Sequence, residues 1–208
     1  MTAPSIRVLI LDDHPVVRFG IAAIIGSQPD MEVIGQASKG REAIALYREH
    51  RPDVTLIDLR LPDIPGVQVI RAIRSLNKDA KLMVLTTYDG DEDIFQAIRA
   101  GAASYIIKGM SHEILVAGIR QVMSGRNYVP KEIAAKLDTR DPMATLSERE
   151  HQVLRQLVDG KSNKEIAGEL GLTEATVKGY VSAILSCLDV ADRTQAVLTA
   201  LKRGLVHF

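Results

Sequence analysis

The chain has 208 residues, 46% of them apolar and 25% charged, and its 26 basic side chains balance 26 acidic ones. That size holds one large or two modest domains of the soluble globular kind, and no stretch approaches the roughly 20 apolar residues a membrane-spanning helix needs. The apolar run Val8 to Leu11 stops at Asp12 and Asp13, unlike a signal peptide, and the lone Cys187 has no internal disulfide partner, so a reducing cytoplasm is the expected compartment.

From the N-terminus, apolar runs alternate with amphipathic helical stretches. Strands are predicted at Arg7–Leu11, Glu32–Ala37, Val54–Asp58, Lys81–Thr86 and Ser104–Ile107. Helices are predicted near Val16–Ile25, Arg41–Glu49, Gly66–Leu76, Asp91–Ala100 and His112–Ser124. Five strands with helices between them predict a doubly wound parallel sheet, in which ligands sit at the carboxyl ends of the strands. Asp12 and Asp13 follow the first strand, Asp58 ends the third, Thr86 and Thr87 end the fourth, and Lys108 follows the fifth. Three converging carboxylates repel one another, and a hard divalent cation such as Mg²⁺ offsets that repulsion. A hydroxyl and an ammonium beside them suit a phosphoryl group carried on one carboxylate. Singly, such residues cap helices, fill strands or solvate surfaces; their joint placement at four strand ends is what points to a site.

Residues 125–144 read as a connector. Gly125 ends the fifth helix, Pro130 opens a short helical piece, and Asp141-Pro142 breaks it. The first domain is therefore expected over residues 1–124 and a second over 145–208. Residues 1–124 carry 14 basic and 15 acidic side chains, and residues 145–208 carry 8 of each. No broad basic field drives nonspecific attraction to nucleic acid, so affinity must come from a few placed residues and from pairing two copies.

In the second domain Ser147 and Glu150 form a capping box ahead of a scaffold helix, Glu148–Asp159. Ser162 and Glu165 form another, and Gly171 supplies a left-handed stop. Thr173 caps the next helix, and Asp192 caps a last one, Arg193–Lys202. Ile166, Ala167 and Leu170 make one apolar stripe, and Val177, Val181 and Ile184 a second. Two short helices joined by a tight turn match a helix-turn-helix that projects its second helix into a DNA major groove, although a plain corner of a helical bundle has the same pattern. On the last helix Ala196, Val197, Ala200 and Leu201 suit either dimerisation or closure of the small core.

These motifs carry a family resemblance. The segment Leu146 to Val197, with Leu-Ser-x-Arg-Glu, Gly160-Lys161-Ser162-Asn163-Lys164-Glu165, Thr176-Val177-Lys178 and Arg193-Thr194, resembles the helix-turn-helix of LuxR-type regulators. Asp12-Asp13-His14-Pro15, Asp58-Leu59-Arg60-Leu61-Pro62, Gly66, Thr86 and Gly101-Ala102-x-x-Tyr105-x-x-Lys108 resemble the landmarks of a two-component receiver domain over roughly residues 5–124. Together they resemble a NarL/FixJ-family response regulator. The resemblance implies a flavodoxin-like receiver followed by an all-α DNA-binding domain, and phosphorylation of Asp58 by a sensor histidine kinase that controls binding to duplex promoter DNA.

It further implies that Asp12, Asp13, Asp58 and the backbone carbonyl of Arg60 hold Mg²⁺, and that Lys108 and Thr86 contact the phosphoryl group. Tyr105 changes rotamer as part of the switch or serves only as a half-buried strand aromatic. His14 starts a helix or supports a metal ligand from behind, rather than binding metal itself. Arg60 and Tyr88, two residues beyond Asp58 and Thr86, flank the phosphoryl group, with Tyr88 shielding it from water. On the second domain the expected DNA contacts are Lys164, Thr173, Glu174, Thr176, Lys178, Gly179 and Ser182, in a homodimer that addresses the transcription machinery. Tyr180, Ala183 and Cys187 replace residues common in the family and leave the recognition helix with little positive charge. No other catalytic constellation is present, so an independent enzyme is not expected. The competing readings are a phosphorylation-independent DNA binder whose receiver acts through protein contacts, and a phosphate-sink or protein-interaction module with an unused output domain.

Overall fold

The computed structural model describes residues 5–138 and 146–206, which fall into two compact units. In the first unit, β1 (Ile6–Leu11), β2 (Met31–Ala37), β3 (Val54–Ile57), β4 (Lys81–Thr86) and β5 (Ser104–Ile107) pair in parallel in the order β2-β1-β3-β4-β5. The helices between and after them are α1 (Pro15–Gly26), α2 (Gly40–His50), α3 (Gly66–Leu76), α4 (Asp91–Ala100) and α5 (His112–Met123). Parallel strands covered on both faces carry near-continuous apolar runs, which is why VLIL in β1 and LMVL in β4 are buried throughout. Alternate strand residues feed two cores. Leu9, Leu11, Ile57, Leu82 and Val84 pack with Tyr47, Ile70 and Ile73, while Val8, Ile10, Leu56 and Met83 pack with Ile25 and Ile119.

The strand order reverses between β1 and β3, so their carboxyl ends flank a crevice outside the sheet. Pairing of β3 with β1 ends at Leu11 and Ile57, one residue short of the expected strand, yet the Asp58 amide still donates to the Leu11 carbonyl at 2.9 Å. That bond fixes the start of the Asp58 turn on the central strand.

The span read as a connector begins with chain that belongs to this unit. Tyr128 forms an isolated parallel bridge with Ser104 and donates its amide to the Ala103 carbonyl at 2.9 Å. Pro130 is buried, and α6 (Lys131–Asp138) sends Ile133 into the α2–α3 core with 2% of its surface exposed. Asp141-Pro142, the expected break, lies outside the described residues.

The second unit comprises α7 (Glu148–Val158), α8 (Asn163–Leu170), α9 (Glu174–Cys187) and α10 (Arg193–Arg203). Both capping boxes form: Ser147 with Glu150 and Ser162 with Glu165. Gly171 closes α8 in the left-handed region at φ 65°, and Thr173 and Asp192 cap α9 and α10 by accepting from the Thr176 and Gln195 amides. Val153, Leu154, Ile166, Val177, Ile184, Ala196 and Ala200 form the shared core, with Val197 and Leu201 packed against it. The α10 stripe therefore closes the core, and the exposed apolar residue of that helix is Leu198.

The capping boxes make a measurable claim. Hydrogen bonds from the Ser147 hydroxyl and then the Ser147 amide hold the Glu150 carboxyl below its ordinary value of 4.5. A depressed folded value stabilises above the unfolded one, and that contribution is lost as pH falls through the folded value. Ser147→Ala should cost about 1 kcal/mol, and its deficit should shrink below pH 4.5. Hydrogen exchange of the α7 amides against pH reads both effects.

Candidate phosphoacceptor site and helix-turn-helix surface

The crevice at the β1 and β3 ends gathers Asp12, Asp13 and Asp58. Together with His14 they offer ligand atoms that all lie within 4.8 Å of one another. Asp12 and Asp58 are 1% and 3% exposed, so their charges are removed from water and must be met locally. Lys108 supplies the cation, with Nζ 2.7 Å from Asp12 Oδ2 and 2.5 Å from Asp58 Oδ2. Burial alone would lower the lysine pKa; the hydrogen bonds and charges of the two carboxylates outweigh it and raise the value above 10.5.

The other Asp58 oxygen, Oδ1, accepts the Leu59 amide at 2.7 Å, so the carboxylate is held from both sides. Asp12 Oδ1 accepts the His14 amide at 2.9 Å, and Arg18 donates to the Asp12 carbonyl at 2.6 Å. Asp13 Oδ1 is buried without a well-aligned donor, although His14 Nδ1 lies 2.6 Å away. A partly unsatisfied oxygen within 4.8 Å of ligand atoms from two further carboxylates fits a hard cation with oxygen ligands. His14 itself is the residue that precedes α1, its side chain 64% exposed.

Thr86 is fully buried at the end of β4, and its carbonyl accepts the Lys108 amide at 2.8 Å, which joins the ends of β4 and β5 beside the site. Tyr105 is also fully buried rather than half-buried, and its hydroxyl donates to the Tyr88 carbonyl at 2.8 Å. The Arg60 guanidinium lies 4.7 Å from the centre of the Tyr88 ring, so the two residues expected to flank Asp58 stack on each other.

Two further residues support the site, and the first, Asp63, carries no local sequence signal. Asp63, in the loop after β3, accepts the Gly40 and Arg41 amides at 2.8 and 3.0 Å and so caps α2, whose own preceding residue, Lys39, makes no side-chain cap. Burial would raise the Asp63 pKa, but the amide bonds from Arg41 and Gly40 prevail and lower it. Gly66 is the second: its amide donates to the Leu59 carbonyl, and a Cβ there would meet the Asp58 carbonyl oxygen at 2.2 Å.

On the second unit Lys164, Thr173, Glu174, Thr176, Lys178, Gly179 and Ser182 are all exposed, the last six along the first turns of α9. The Thr173 and Thr176 hydroxyls bond each other at 2.8 Å, and Lys178 pairs with Glu174 at 3.4 Å. Lys161 is turned away from this surface, its ammonium held by Gln156 and Glu169, and Arg193 donates to the Lys161 carbonyl.

A doubly wound sheet with an acidic crevice, followed by a helix-turn-helix, defines a two-domain regulator. Residues 8–120 match the response regulator receiver domain, and residues 144–200 match the bacterial regulatory proteins of the luxR family. The chain is 40% identical over 210 residues to the transcriptional regulatory protein LiaR of Bacillus subtilis (strain 168), covering 97% of this chain and 100% of LiaR. It is 37% identical to the response regulator protein VraR of Staphylococcus aureus (strain COL), with coverages of 98% and 100%. Among solved structures, the response regulator ChrA of a heme-sensing two-component system aligns with a TM-score of 0.59 at 34% identity, over 98% of this chain and 100% of ChrA. The RcsB–DNA complex shares the fold with a TM-score of 0.70 at 21% identity, over 95% and 98%. The chain belongs to the transcriptional response regulators that join a receiver to a LuxR-type DNA-binding domain. The members of this family are DNA-binding regulators rather than enzymes. Among the described residues, no helix is long and apolar enough to cross a membrane.

Proposed function

We propose that Asp58 of this response regulator accepts a phosphoryl group from a sensor histidine kinase, and that the modified chain binds promoter DNA as a homodimer in the cytoplasm. The observation that carries the reading is the Asp58 carboxylate itself, buried yet held by Leu59 on one oxygen and Lys108 on the other. In this reading a carboxylate oxygen attacks phosphorus, the P–O bond forms as the P–N bond to the kinase imidazole breaks, and the imidazole leaves. Asp12, Asp13 and Asp58, with the Arg60 carbonyl, would hold Mg²⁺, which when bound supplies positive charge to the transferring phosphoryl oxygens. Lys108 exchanges its carboxylate partner for a phosphoryl oxygen, and the Thr86 hydroxyl donates to another. Tyr105 follows the resulting movement of the chain from Thr86 to Tyr88, to whose carbonyl its hydroxyl is bonded. We assign residues 1–124 to the receiver, 125–144 to a connector whose first part packs on the receiver, and 145–208 to the DNA-binding domain.

On DNA, α9 is the recognition helix. Thr173, Glu174, Thr176, Lys178, Gly179 and Ser182 face the groove, and Lys164 meets a phosphate. With Lys178 already paired to Glu174, one copy has little charge to offer, which favours two copies on a two-part site and recruitment of the transcription machinery from there.

Acetyl phosphate with Mg²⁺ tests the reading. Wild type should gain one phosphoryl group by mass and tighten on promoter DNA, and Asp58→Ala should do neither. Equal DNA binding with and without modification would instead favour the phosphorylation-independent reading. The Arg60–Tyr88 stack predicts a second outcome: Tyr88→Asn opens the site to water and shortens the acyl-phosphate half-life several-fold. An unchanged autodephosphorylation rate would remove the shielding role.

A further inference from the structure

We propose that the recess at the amino-terminal end of β4 and β5, at the opposite end of the sheet from Asp58, binds a diphosphate-class anion. The recess holds about 290 Å³ and is lined by Arg74, Lys78, Lys81 and Arg126, with Asn127 and a single carboxylate, Asp79. Four cations against one carboxylate leave three uncompensated positive charges in one concavity.

That imbalance sits on a chain of zero net charge in which several other cations have ion-pair partners. Arg120 pairs with Asp30, Lys161 with Glu169, Lys178 with Glu174, and Lys108 with two aspartates. Among the described residues, none of the four recess cations forms a salt bridge. The Lys81 ammonium, on a half-buried side chain, finds the Met123 sulfur at 3.6 Å, and a thioether is a weak acceptor for a full charge. Arg74 is prearranged: its guanidinium donates to the carbonyls of Gly101 and Lys78, which hold the plane without neutralising it. A fixed guanidinium beside a half-buried ammonium is a donor set that recognises phosphate oxygens. Lys78 and Arg126 are exposed and can fold over the bound anion.

The size of the opening and a net charge of three select a compact multivalent anion, such as free pyrophosphate or the diphosphate of a nucleotide. Its position gives such a ligand leverage. Arg126 and Asn127 lie directly before Tyr128, which ties the connector to β5 and whose ring sits where a Cβ on Gly118 would be 2.9 Å away. An anion held by Arg74 and Lys81 on one side and Arg126 on the other clamps the root of the connector to the α3–β4 turn.

The test is titration of the full chain with pyrophosphate, without Mg²⁺ and at constant ionic strength, read by calorimetry and by amide shifts at Ala103, Gly125 and Asn127. Saturable binding is expected, weakened at least tenfold by Lys81→Ala and by Arg126→Ala and unchanged by Arg41→Ala on a separate helix. It should persist in Asp58→Ala, which separates this site from the acidic crevice and from the phosphoacceptor reading. A parallel titration with ADP distinguishes the sources: tighter binding than pyrophosphate marks a nucleotide, and equal or weaker binding marks the free diphosphate. Non-saturable binding, or an equal loss in Arg41→Ala, would overturn the proposal.

Discussion

Replacing Lys108 by methionine is expected to destabilise the receiver unit by about 3 kcal/mol, the usual consequence of removing one partner from a buried ionic cluster. Asp12 and Asp58 are almost fully buried and share this one ammonium at 2.7 and 2.5 Å. Methionine keeps much of the side-chain volume, so the loss reports charge rather than a cavity. The lysine pKa is raised in the folded chain, so its contribution is complete below the unfolded value of 10.5 and disappears as pH rises through the folded value. Across neutral pH the deficit of the variant should therefore be constant. A divalent cation at the same carboxylates should restore part of it, because a ligand that binds only the folded state stabilises by mass action. Thermal melts with and without Mg²⁺ check this: the cation should raise the midpoint of Lys108→Met more than that of wild type. A variant as stable as wild type in chelator would show that the carboxylates do not depend on the lysine. Phosphorylation of the variant should persist, while its coupling to DNA binding should be lost.

The acidic crevice and its lysine were legible in the sequence because a parallel sheet places its chemistry at strand ends. A strand buried on both faces is a short apolar run with an abrupt polar stop, and Asp12, Asp58, Thr86 and Lys108 are those stops or their immediate neighbours. The capping boxes at Ser147 and Ser162 were legible for a similar reason, since donor and acceptor lie three residues apart. What escaped the sequence depends on contacts between distant segments. Asp63 caps α2 from 22 residues away, and nothing around Lys39 announces an external cap. Ile133 occurs in a polar segment that reads as connector, and only the bridge between Tyr128 and Ser104 brings it to the core. The stacking of Arg60 on Tyr88 joins two loops whose separation in the chain hides their contact. The Lys161 ammonium braces Glu169 eight residues away within the fold, a pairing that no helical spacing announces.

Gly66 should be among the most sensitive positions of the receiver, although it touches no ligand. A Cβ there would sit 2.2 Å from the Asp58 carbonyl oxygen, 2.8 Å from Leu59 Cα and 3.0 Å from the Asp58 carbonyl carbon. All three are backbone atoms, so no rotamer change relieves the clash, and the turn that carries the Asp58 carboxylate must move. Gly66→Ala is therefore expected to cost roughly 2–3 kcal/mol as an overpacked site. The greater consequence is geometric. Asp58 Oδ1 is aimed by the Leu59 amide at 2.7 Å, and Leu59 also accepts the Gly66 amide at 2.9 Å, so displacing one end of this turn rotates the carboxylate away from Lys108. Near-attack alignment is lost over about an ångström, which lowers rates on the order of a hundredfold. Phosphorylation by acetyl phosphate should accordingly slow far more in Gly66→Ala than the stability loss alone explains, when measured at a temperature where the variant remains folded. Gly109→Ala is the matched control, since a Cβ at Gly109 meets nothing within 4 Å although the residue adjoins Lys108. Equal rates in the two variants would show that the Asp58 turn tolerates displacement and that Gly66 serves packing alone.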